Sequence, residues 1–353
     1  NECNEVLEKV IAKIKSEGEG KPYDCVVGVS GGIDSTYVAW LAKQFELRPL
    51  VVHYDNGWNS ELAVKNIESI VTKLGFDLYT YVNDWEEFRS LQLSLFRASV
   101  LDIELLTDQA IGALLFKMAR RHGIKHVLFG TNVATEGTLP PHWFHRKDDI
   151  LNIQAIHRQF SNIKLRTYPM LGFWKRWYAV KAKGIKSFPL LDYIAYNKSE
   201  AKQVITTELG WHDYGGKHYE SIFTRFFQSY YLPKKFGIDK RKAHLSTLIC
   251  SGQITRDQAL LEMEKPICED QMMESDKAYV IKKLGISNEE FECIMQLPPK
   301  KHTDYPSYLT RHYFYQEKLS NFLRPIKRFF RSGHAVSDRA QSLVETNMGK
   351  SAT

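Results

Sequence analysis

The stretch Ser30-Gly31-Gly32-Ile33-Asp34-Ser35 combines hydroxyls, glycines and a carboxylate in an order suited to binding phosphate. Two adjacent glycines let the backbone turn tightly and approach a ligand closely. Successive N–H groups can then form a nest for an anion, and a following helix N-terminus adds partial positive charge. Ser30, Ser35 and Thr36 supply candidate hydroxyl donors. A Ser-Gly-Gly turn can also serve only to connect a strand to a helix. The elements around the loop distinguish this alternative from a phosphate-binding loop.

Those elements have the patterns of a buried strand before the loop and a helix after it. Residues 24–29 form an apolar run rich in β-branched side chains, and residues 36–45 have helical spacing. Further strands are predicted at 50–54, 78–82 and 126–130, and further helices at 5–16, 61–74 and 107–122. This alternation is typical of a doubly wound parallel sheet. Ligands bind at the carboxyl ends of such strands, and the loop follows a strand directly.

The loop resembles the PP-loop of the ATP pyrophosphatases. It lacks the Lys of a Walker A motif and has the order Ser-Gly-Gly-x-Asp-Ser. The resemblance implies an α/β fold of the adenine nucleotide α-hydrolase type, ATP cleavage to AMP and PPi, and Mg²⁺ placed by Asp34. Two later strand ends fit the same site, although both are also ordinary turn sequences. The expected ATP contacts are Ser30, Gly31, Gly32, Asp34, Ser35, Thr36, Asp55, Gly130, Thr131 and Asn132.

The pattern changes after about residue 190, where helical segments rich in Tyr, Phe, Lys and Arg follow the α/β part. We predict four parts. Residues 1–20 form an N-terminal helix, and residues 21–190 form the PP-loop ATP-binding domain. Residues 191–330 form a helical domain for substrate or partners, and residues 331–353 form a flexible tail.

Several motifs in this second half resemble the N-acetyl sugar amidotransferase family of O-antigen and nonulosonic acid biosynthesis. The resemblance covers about residues 21–325. The motifs that carry it are Asp192-Tyr193-Ile194-Ala195-Tyr196-Asn197-Lys198, Gly210-Trp211, Lys217-His218-Tyr219-Glu220-Ser221, Phe223-Thr224-Arg225-Phe226, Lys235-Phe236-Gly237-Ile238-Asp239-Lys240-Arg241, His244-Leu245-Ser246 and Ser251-Gly252-Gln253-Ile254-Thr255-Arg256.

The resemblance implies that the acetamido oxygen of a nucleotide-linked sugar is adenylated and that ammonia then displaces AMP. Such chemistry needs cations around the departing PPi and the substrate. The candidate catalytic residues are Asp34, Lys217, His218, Glu220 and Arg225. The candidate substrate contacts are Glu136, Ser221, Lys240, Arg241 and His244. Lys240 and Arg241 could equally belong to a solvated helical face. The helical spacing of Phe223, Phe226 and Phe227 indicates core packing.

The five cysteines are widely spaced and odd in number, which argues against a disulfide framework and favours the reducing cytoplasm. None has the context of a glutaminase nucleophile. The family resemblance therefore implies separate glutaminase and cyclase-like subunits, similar to those of imidazole glycerol phosphate synthase. Free ammonia is an alternative source. Asn1-Glu2-Cys3 resembles the end of a Cys-containing segment, which makes Cys3 a candidate ligand of a zinc site that is incomplete here.

Composition permits two rival functions. The net charge of +7 allows a nucleic-acid partner, as in a PP-loop tRNA-modifying enzyme. Against it, the sequence has no concentrated basic stripe and no catalytic cysteine pair, so a nucleic-acid partner is not expected. The other rival is a non-catalytic nucleotide-binding scaffold for a glutaminase, and the retained Asp34 and Ser35 argue against it. No apolar run reaches the roughly 18–20 residues of a membrane span. An oligomer is compatible with the sequence.

Overall fold

The computed structural model describes residues 2–143, 145–216 and 219–310, without the side chains of residues 2–4 and 141. The chain divides into two compact units, Asn1–His302 and Thr303–Thr353. Within the described part of the second unit, the backbone N–H of Ser307 donates to Thr310 Oγ1 at 3.1 Å. The first unit contains the sheet and the α-helices. The predicted boundary near residue 190 stays a prediction.

The centre of the first unit is a five-stranded sheet in which every neighbouring pair is parallel. The strand order is β3-β2-β1-β4-β5. The strands are β1 (Cys25–Gly28), β2 (Pro49–Asp55), β3 (Asp77–Val82), β4 (His126–Phe129) and β5 (Lys186–Pro189). The chain order reverses between β1 and β4, which is the switch point where doubly wound sheets open a crevice for ligands. The predicted fold class is confirmed.

Helices surround this sheet and form the rest of the first unit. They are α1 (Glu2–Glu17), α2 (Ile33–Gln44), α3 (Glu61–Leu74), α4 (Trp85–Arg97), α5 (Leu105–Arg121), α6 (Val133–Glu136), α7 (Ile150–Phe160), α8 (Phe173–Trp177), α9 (Lys198–Leu209), α10 (Ile222–Phe226), α11 (Arg241–Cys250), α12 (Arg256–Glu264), α13 (Asp270–Leu284) and α14 (Asn288–Gln296). Tyr178–Ala182 and Phe227–Phe236 continue α8 and α10 as π-helical turns, and Pro141–Trp143, Leu190–Tyr193 and His302–Asp304 are 3₁₀ turns. Of the helices described, none is long and apolar enough to cross a membrane.

Helix α3 shows how local sequence fixes an element beside the site. Ser60 caps its first turn by accepting a hydrogen bond from Ala63 N at 3.2 Å. Ala63, Ile67, Ile70 and Leu74 recur at helical spacing and are buried. Gly75 ends the helix in the left-handed conformation, with φ 69°. The helix therefore begins and ends where the sequence predicted.

Alternate residues of β1 face different helices. Cys25, Val27 and Val29 lie in a buried cluster with side chains of α1, α2, α3 and α9. A Cβ on Gly28 would stand 3.0 Å from Leu115 Cδ1 of α5. Because side chains alternate along a strand, helices cover both faces of β1. This explains why the sequence of β1 is continuously apolar instead of alternating between apolar and polar residues.

The helical second half has its own aromatic core. Phe223, Phe226 and Phe227 are only 1%, 0% and 2% exposed, which confirms the prediction that they are packing residues. The ring of Phe96 from α4 lies 6.0 Å from that of Phe223 and 5.2 Å from that of Tyr231. The C-terminal helices are therefore packed onto a helix of the α/β part.

Candidate active site

The loop between β1 and α2 is folded by its own serines. The backbone N–H of Ser30 donates to Ser35 Oγ at 3.2 Å, and the N–H of Gly32 donates to Ser30 Oγ at 3.3 Å. The two serine hydroxyls are 3.2 Å apart. The buried hydroxyl of Thr36 donates to Gly32 O at 2.7 Å and so stabilises the start of α2. The hydroxyls of Ser30 and Ser35 therefore stabilise the conformation of the loop.

Gly31 connects this loop to the second half of the chain. Its φ of +82° lies in the left-handed region that favours glycine. Its carbonyl accepts hydrogen bonds from Trp211 Nε1 at 2.7 Å and from the Tyr214 hydroxyl. A Cβ at this position would stand 3.0 Å from Ala63 O. Trp211 and Tyr214 thus fix the loop from outside, a role that sequence spacing alone did not assign.

Asp34 lies in the first turn of α2, where a carboxylate interacts favourably with the helix dipole. Its Oδ1 accepts a hydrogen bond from the hydroxyl of Tyr196. Burial and the negative charge of Asp34 raise the pKa of Tyr196, so the phenol stays protonated and remains a donor. The negative charge of Glu136 also raises the pKa of Tyr196, so Glu136 lies near the Asp34–Tyr196 pair.

The end of β4 touches the loop of residues 30–35, which we call the phosphate loop after its predicted ligand. A Cβ on Gly130 would stand 2.9 Å from Ser35 N and 3.0 Å from Ser35 Cα. Asn132 is buried and caps α6 by accepting from Thr135 N at 2.8 Å, whereas Thr131 is exposed. The Gly130–Asn132 turn therefore borders the loop as expected, with Asn132 used to hold its shape.

The end of β2 forms a second polar turn. Asp55 Oδ1 accepts from Gly57 N at 2.8 Å and from Asn59 Nδ2 at 3.3 Å. Asn59 Nδ2 also lies 3.0 Å from His53 Nε2, and His53 Nδ1 lies 3.0 Å from Val29 O. Burial lowers the pKa of His53, so the imidazole is neutral, with Nδ1–H donating to Val29 O. The sequence did not single out His53.

A cavity of about 310 Å³ opens beside this turn, between α3 and the strands β2 and β3. Its walls combine apolar side chains with a few polar groups, as is usual for small-molecule sites. The residues that line it include His53, Asp55, Thr80, Val64, Ile67, Val71 and Leu78.

The segment before α10 lies against the phosphate loop. Glu220 Oε1 is 3.3 Å from the position that a Cβ on Gly32 would take. Ser60 N donates to Glu220 O at 2.9 Å, and Ile222 N donates to Trp58 O at 3.0 Å. Ser221 caps α10 by accepting from Thr224 N at 3.2 Å. Glu220, predicted from a motif in the second half, therefore lies at the loop.

Three predicted cations contact groups of the helical part of the chain. Arg225 forms two hydrogen bonds to Asp276 of α13, at 2.6 and 2.7 Å, and its side chain is 16% exposed. Arg241 pairs with Asp239 at 2.8 Å and donates to Lys265 O at 2.8 Å. The ammonium of Lys240 lies 6.0 Å from the centre of the Phe227 ring. The side chains of Arg225 and Arg241 thus form contacts that stabilise the helical part of the chain.

Helix α11 approaches the site from another side. Thr138 N donates to Thr247 Oγ1 at 3.1 Å, and Ser251 Oγ donates to Ala134 O at 2.8 Å. His244 lies one turn before Thr247 on the same helix and is partly buried. The turn after β4 and α11 are therefore in contact.

Glu104 is an acidic group of this region that the sequence did not reveal. Its carboxylate accepts a hydrogen bond from the hydroxyl of Thr224, one turn after Glu220. Burial raises the pKa of Glu104 to about 7, against the opposite effects of the Thr224 hydrogen bond and the charge of Lys240. A carboxyl whose pKa is strongly raised by burial is a candidate for acid–base chemistry. Glu104 lies in no motif, so no sequence signal identifies it.

Some predicted residues lie outside the described part of the chain. They are Lys217, His218 and the side chain of Cys3, which the structure does not describe. Within the described residues, no group of three or more His, Cys, Asp or Glu side chains is arranged to hold a metal ion, so the expected zinc site gains no support. In the segment after α6, His142 is exposed, whereas His145 is buried with its ring 4.3 Å from that of His302.

Comparison with known proteins links the C-terminal segment to one domain family. Residues 220–319 match the family model described as LPS biosynthesis protein WbpG-like, C-terminal domain. The match begins at Glu220, within the motifs that carry the resemblance predicted from the sequence, and it confirms that resemblance for this part of the chain. No curated protein matches the sequence.

Three solved structures resemble parts of the chain, with low sequence identity and low TM-scores. NH3-dependent NAD synthetase from Campylobacter jejuni is 14% identical with a TM-score of 0.35, over 85% of this chain and 98% of that one. NMN synthetase from Francisella tularensis is 15% identical with a TM-score of 0.31, over 52% and 71%. A predicted subunit of tRNA methyltransferase from Methanocaldococcus jannaschii is 13% identical with a TM-score of 0.31, over 52% and 75%. The fold assignment therefore rests on the strand order itself.

Proposed function

We propose that this chain is an ATP-dependent amidotransferase that converts the acetamido group of a nucleotide-linked sugar to an acetamidino group and releases AMP and PPi. One observation carries the proposal. Glu220 is the first residue of the segment that matches a domain of LPS biosynthesis proteins. Its Oε1 lies 3.3 Å from the position that a Cβ on Gly32 of the phosphate loop would take. This contact supports a reaction in which ATP and a sugar substrate meet at one site.

The residues around the loop suit ATP. The N-terminus of α2 favours the pyrophosphate, and the cavity beside His53 and Asp55 is suited to the adenosine part. Asp34, with the hydroxyls of Ser30 and Ser35, offers the hard oxygen donors that Mg²⁺ prefers. When bound with ATP, Mg²⁺ would neutralise charge on the departing pyrophosphate. The Tyr196 hydrogen bond holds the Asp34 carboxylate in place for that role.

The chemistry proceeds in two displacements. The acetamido oxygen attacks the α-phosphorus of ATP, an O–P bond forms, and the bond to PPi breaks. The resulting imidate carbon is then attacked by ammonia, and its C–O bond breaks to release AMP. The original acetamido oxygen leaves on AMP, and a proton from the attacking nitrogen passes to a base. Adenylation converts a poor leaving group into a phosphate ester, and the enzyme contributes positioning and charge stabilisation.

Glu104 suits the proton-accepting role. A general base works best with a pKa near the operating pH, and burial raises the pKa of Glu104 to about 7. The Thr224 hydroxyl orients its carboxylate one turn away from Glu220. We assign Glu104 to accept the proton that the incoming ammonia loses.

We propose that a separate glutaminase produces the ammonia and that a cyclase-like subunit delivers it to this chain. A glutaminase nucleophile must reach the thiolate form. Burial instead raises the pKa of the Cys25 and Cys268 thiols. Cys25 also lies inside β1, where no substrate can approach it.

One assay tests the proposal. The protein is incubated with ATP, Mg²⁺, ammonium and individual nucleotide-linked N-acetyl sugars, and AMP and sugar products are measured. We expect AMP only with an accepted sugar, together with a product in which one oxygen is replaced by NH. AMP formation with tRNA and not with sugars would instead indicate a tRNA-modifying enzyme. ATP binding without AMP under any condition would indicate a non-catalytic scaffold.

A further inference from the structure

Residues 173–183 project aromatic and basic side chains away from the protein. Phe173 is 58% exposed, Trp174 76%, Trp177 51% and Tyr178 43%. The segment consists of α8 and the π-helical turn that continues it. We call residues 173–183 the basic aromatic segment. Large apolar side chains exposed singly are common, but four in six consecutive residues form a patch that indicates an interaction surface.

The segment is anchored at few points. Within residues 173–183 only Ala179 is buried, and the flanking Gly172 and Ile185 are buried as well. Lys186 N then donates to Lys125 O at 2.7 Å, where the chain enters β5. A helix on the surface of a globular protein normally turns its apolar stripe inward. Here the tryptophans face outward, and the chain joins the sheet only after the segment, at Lys186.

The charge of this surface is positive. Residues 172–186 contain no Asp or Glu, and their cations are Lys175, Arg176, Lys181, Lys183 and Lys186. The guanidinium of Arg176 lies 3.5 Å from Asp148, and the ammonium of Lys183 lies 5.7 Å from the centre of the Tyr178 ring. Asp148 also pairs with Arg146, so it offsets little of this charge.

We propose that the basic aromatic segment docks on an anionic lipid surface. Trp and Tyr rings favour the interface between lipid headgroups and acyl chains, and Lys and Arg are attracted to anionic headgroups. A short helix that carries both kinds of side chain lies in the plane of that interface. A bilayer accepts projecting rings without a complementary groove, and the five cations of residues 172–186 with no Asp or Glu among them complement anionic headgroups. This proposal is independent of the proposed catalytic function.

The test is sedimentation of the full-length protein with lipid vesicles. Vesicles containing phosphatidylglycerol are compared with vesicles of phosphatidylcholine alone, at low and high salt. We expect binding to the anionic vesicles, a blue shift of tryptophan fluorescence on binding, and weaker binding at high salt because ions screen the attraction. Equal binding to both vesicle types, or no binding to either, would overturn the proposal. If tryptophan fluorescence changes only when a glutaminase or cyclase-like subunit is added, and not with vesicles, this surface is a protein interface and the proposal is wrong.

Two variants separate the contributions of rings and charges. Trp174→Ala with Trp177→Ala should lower the partition coefficient on anionic vesicles by about tenfold or more. Lys181→Glu with Lys183→Glu should lower it by a similar factor, about tenfold, and reduce its salt dependence. The matched control is Leu260→Ala with Leu261→Ala on α12, where the leucines are 48% and 61% exposed. A control that loses binding as strongly as the tryptophan variant would refute a specific role for residues 173–183.

Discussion

Three residues of the phosphate loop contact a residue from the second half of the chain. Asp34 accepts from Tyr196, Gly31 O accepts from Trp211, and the Glu220 carboxylate lies beside Gly32. These partners follow the loop by more than 160 residues, so no local pattern predicts the contacts. The motifs that contain them were visible in the sequence, but only the fold reveals that they converge on the loop.

Asp34→Asn tests the loop carboxylate. Removing its negative charge while keeping its shape should lower the rate of AMP formation by about a hundredfold or more, since the proposed metal–pyrophosphate interaction would lose an anionic ligand. Thermal unfolding should change little. The matched control is Asp257→Asn, an exposed Asp in the first turn of α12. Near-normal turnover of the Asp34 variant would remove this residue from the metal role.

Gly130→Ala tests the contact between β4 and the loop. The added Cβ would lie 2.9 Å from Ser35 N, and backbone must shift to accommodate it. We expect AMP formation to fall by about tenfold to a hundredfold, because small displacements of reacting groups are costly. Gly112→Ala in α5 is the control, since its Cβ would meet nothing within 4 Å. That variant should gain up to about 1 kcal/mol of unfolding free energy and keep its activity. Equal effects of the two substitutions would contradict the steric account.

Glu104→Gln tests the raised pKa of Glu104. Folded protein holds this proton up to about pH 7, whereas the unfolded chain releases it near the ordinary glutamate value. The stability that this group contributes is therefore complete at low pH and is lost as pH rises through 7. Between about pH 5 and pH 8, the variant should gain about 1–3 kcal/mol in unfolding free energy relative to the unmodified protein. Urea titrations at both pH values measure this, with Glu262→Gln as the exposed control. A difference that is constant with pH would show that burial does not perturb Glu104.

At the scale of elements, amphipathic or strongly apolar segments were predictable. Helix α3 and strand β1 were found within one or two residues of their bounds, because their patterns are strong. Strand β5 was missed. Its Lys186-Ser187-Phe188-Pro189 sequence lies at the edge of the sheet, is partly exposed and ends in proline, so it lacks the pattern of a buried strand. Only pairing with β4 makes it a strand.

The packing of α10 against α13 depends on the Arg225–Asp276 ion pair. Both side chains are largely buried, at 16% and 6% exposure. Arg225→Met alone should lower the unfolding free energy by about 3–5 kcal/mol, because Asp276 is left buried and unpaired. Adding Asp276→Leu should restore most of that loss. The exposed pair Lys265–Glu262 is the control, and Lys265→Met should cost less than about 1 kcal/mol.

The same double variant separates two roles of Arg225. If the guanidinium serves to hold α10, the double variant should fold and form AMP at a substantial rate. A stable double variant that forms no AMP would return Arg225 to the catalytic role predicted from the sequence.

For the whole molecule, the proposed reaction depends on two parts of the chain meeting at one sheet edge. The α/β part supplies the phosphate loop, and the segment matched by the WbpG-like family supplies Glu220 and, through Thr224, the orientation of Glu104. The parallel strand order predicted from the sequence explains the position of the loop. It does not explain which acceptor receives the adenylyl group, because that choice depends on contacts between distant segments.

The most direct test of the proposed reaction follows the acetamido oxygen itself. A nucleotide-linked sugar labelled with a heavy oxygen isotope in its acetamido group is converted in the presence of ATP, Mg²⁺ and ammonium, and AMP is analysed by mass spectrometry. If the oxygen attacks the α-phosphorus, each AMP released with product carries the label. AMP that carries only oxygen from water, or product that retains the label, would contradict adenylation of the sugar.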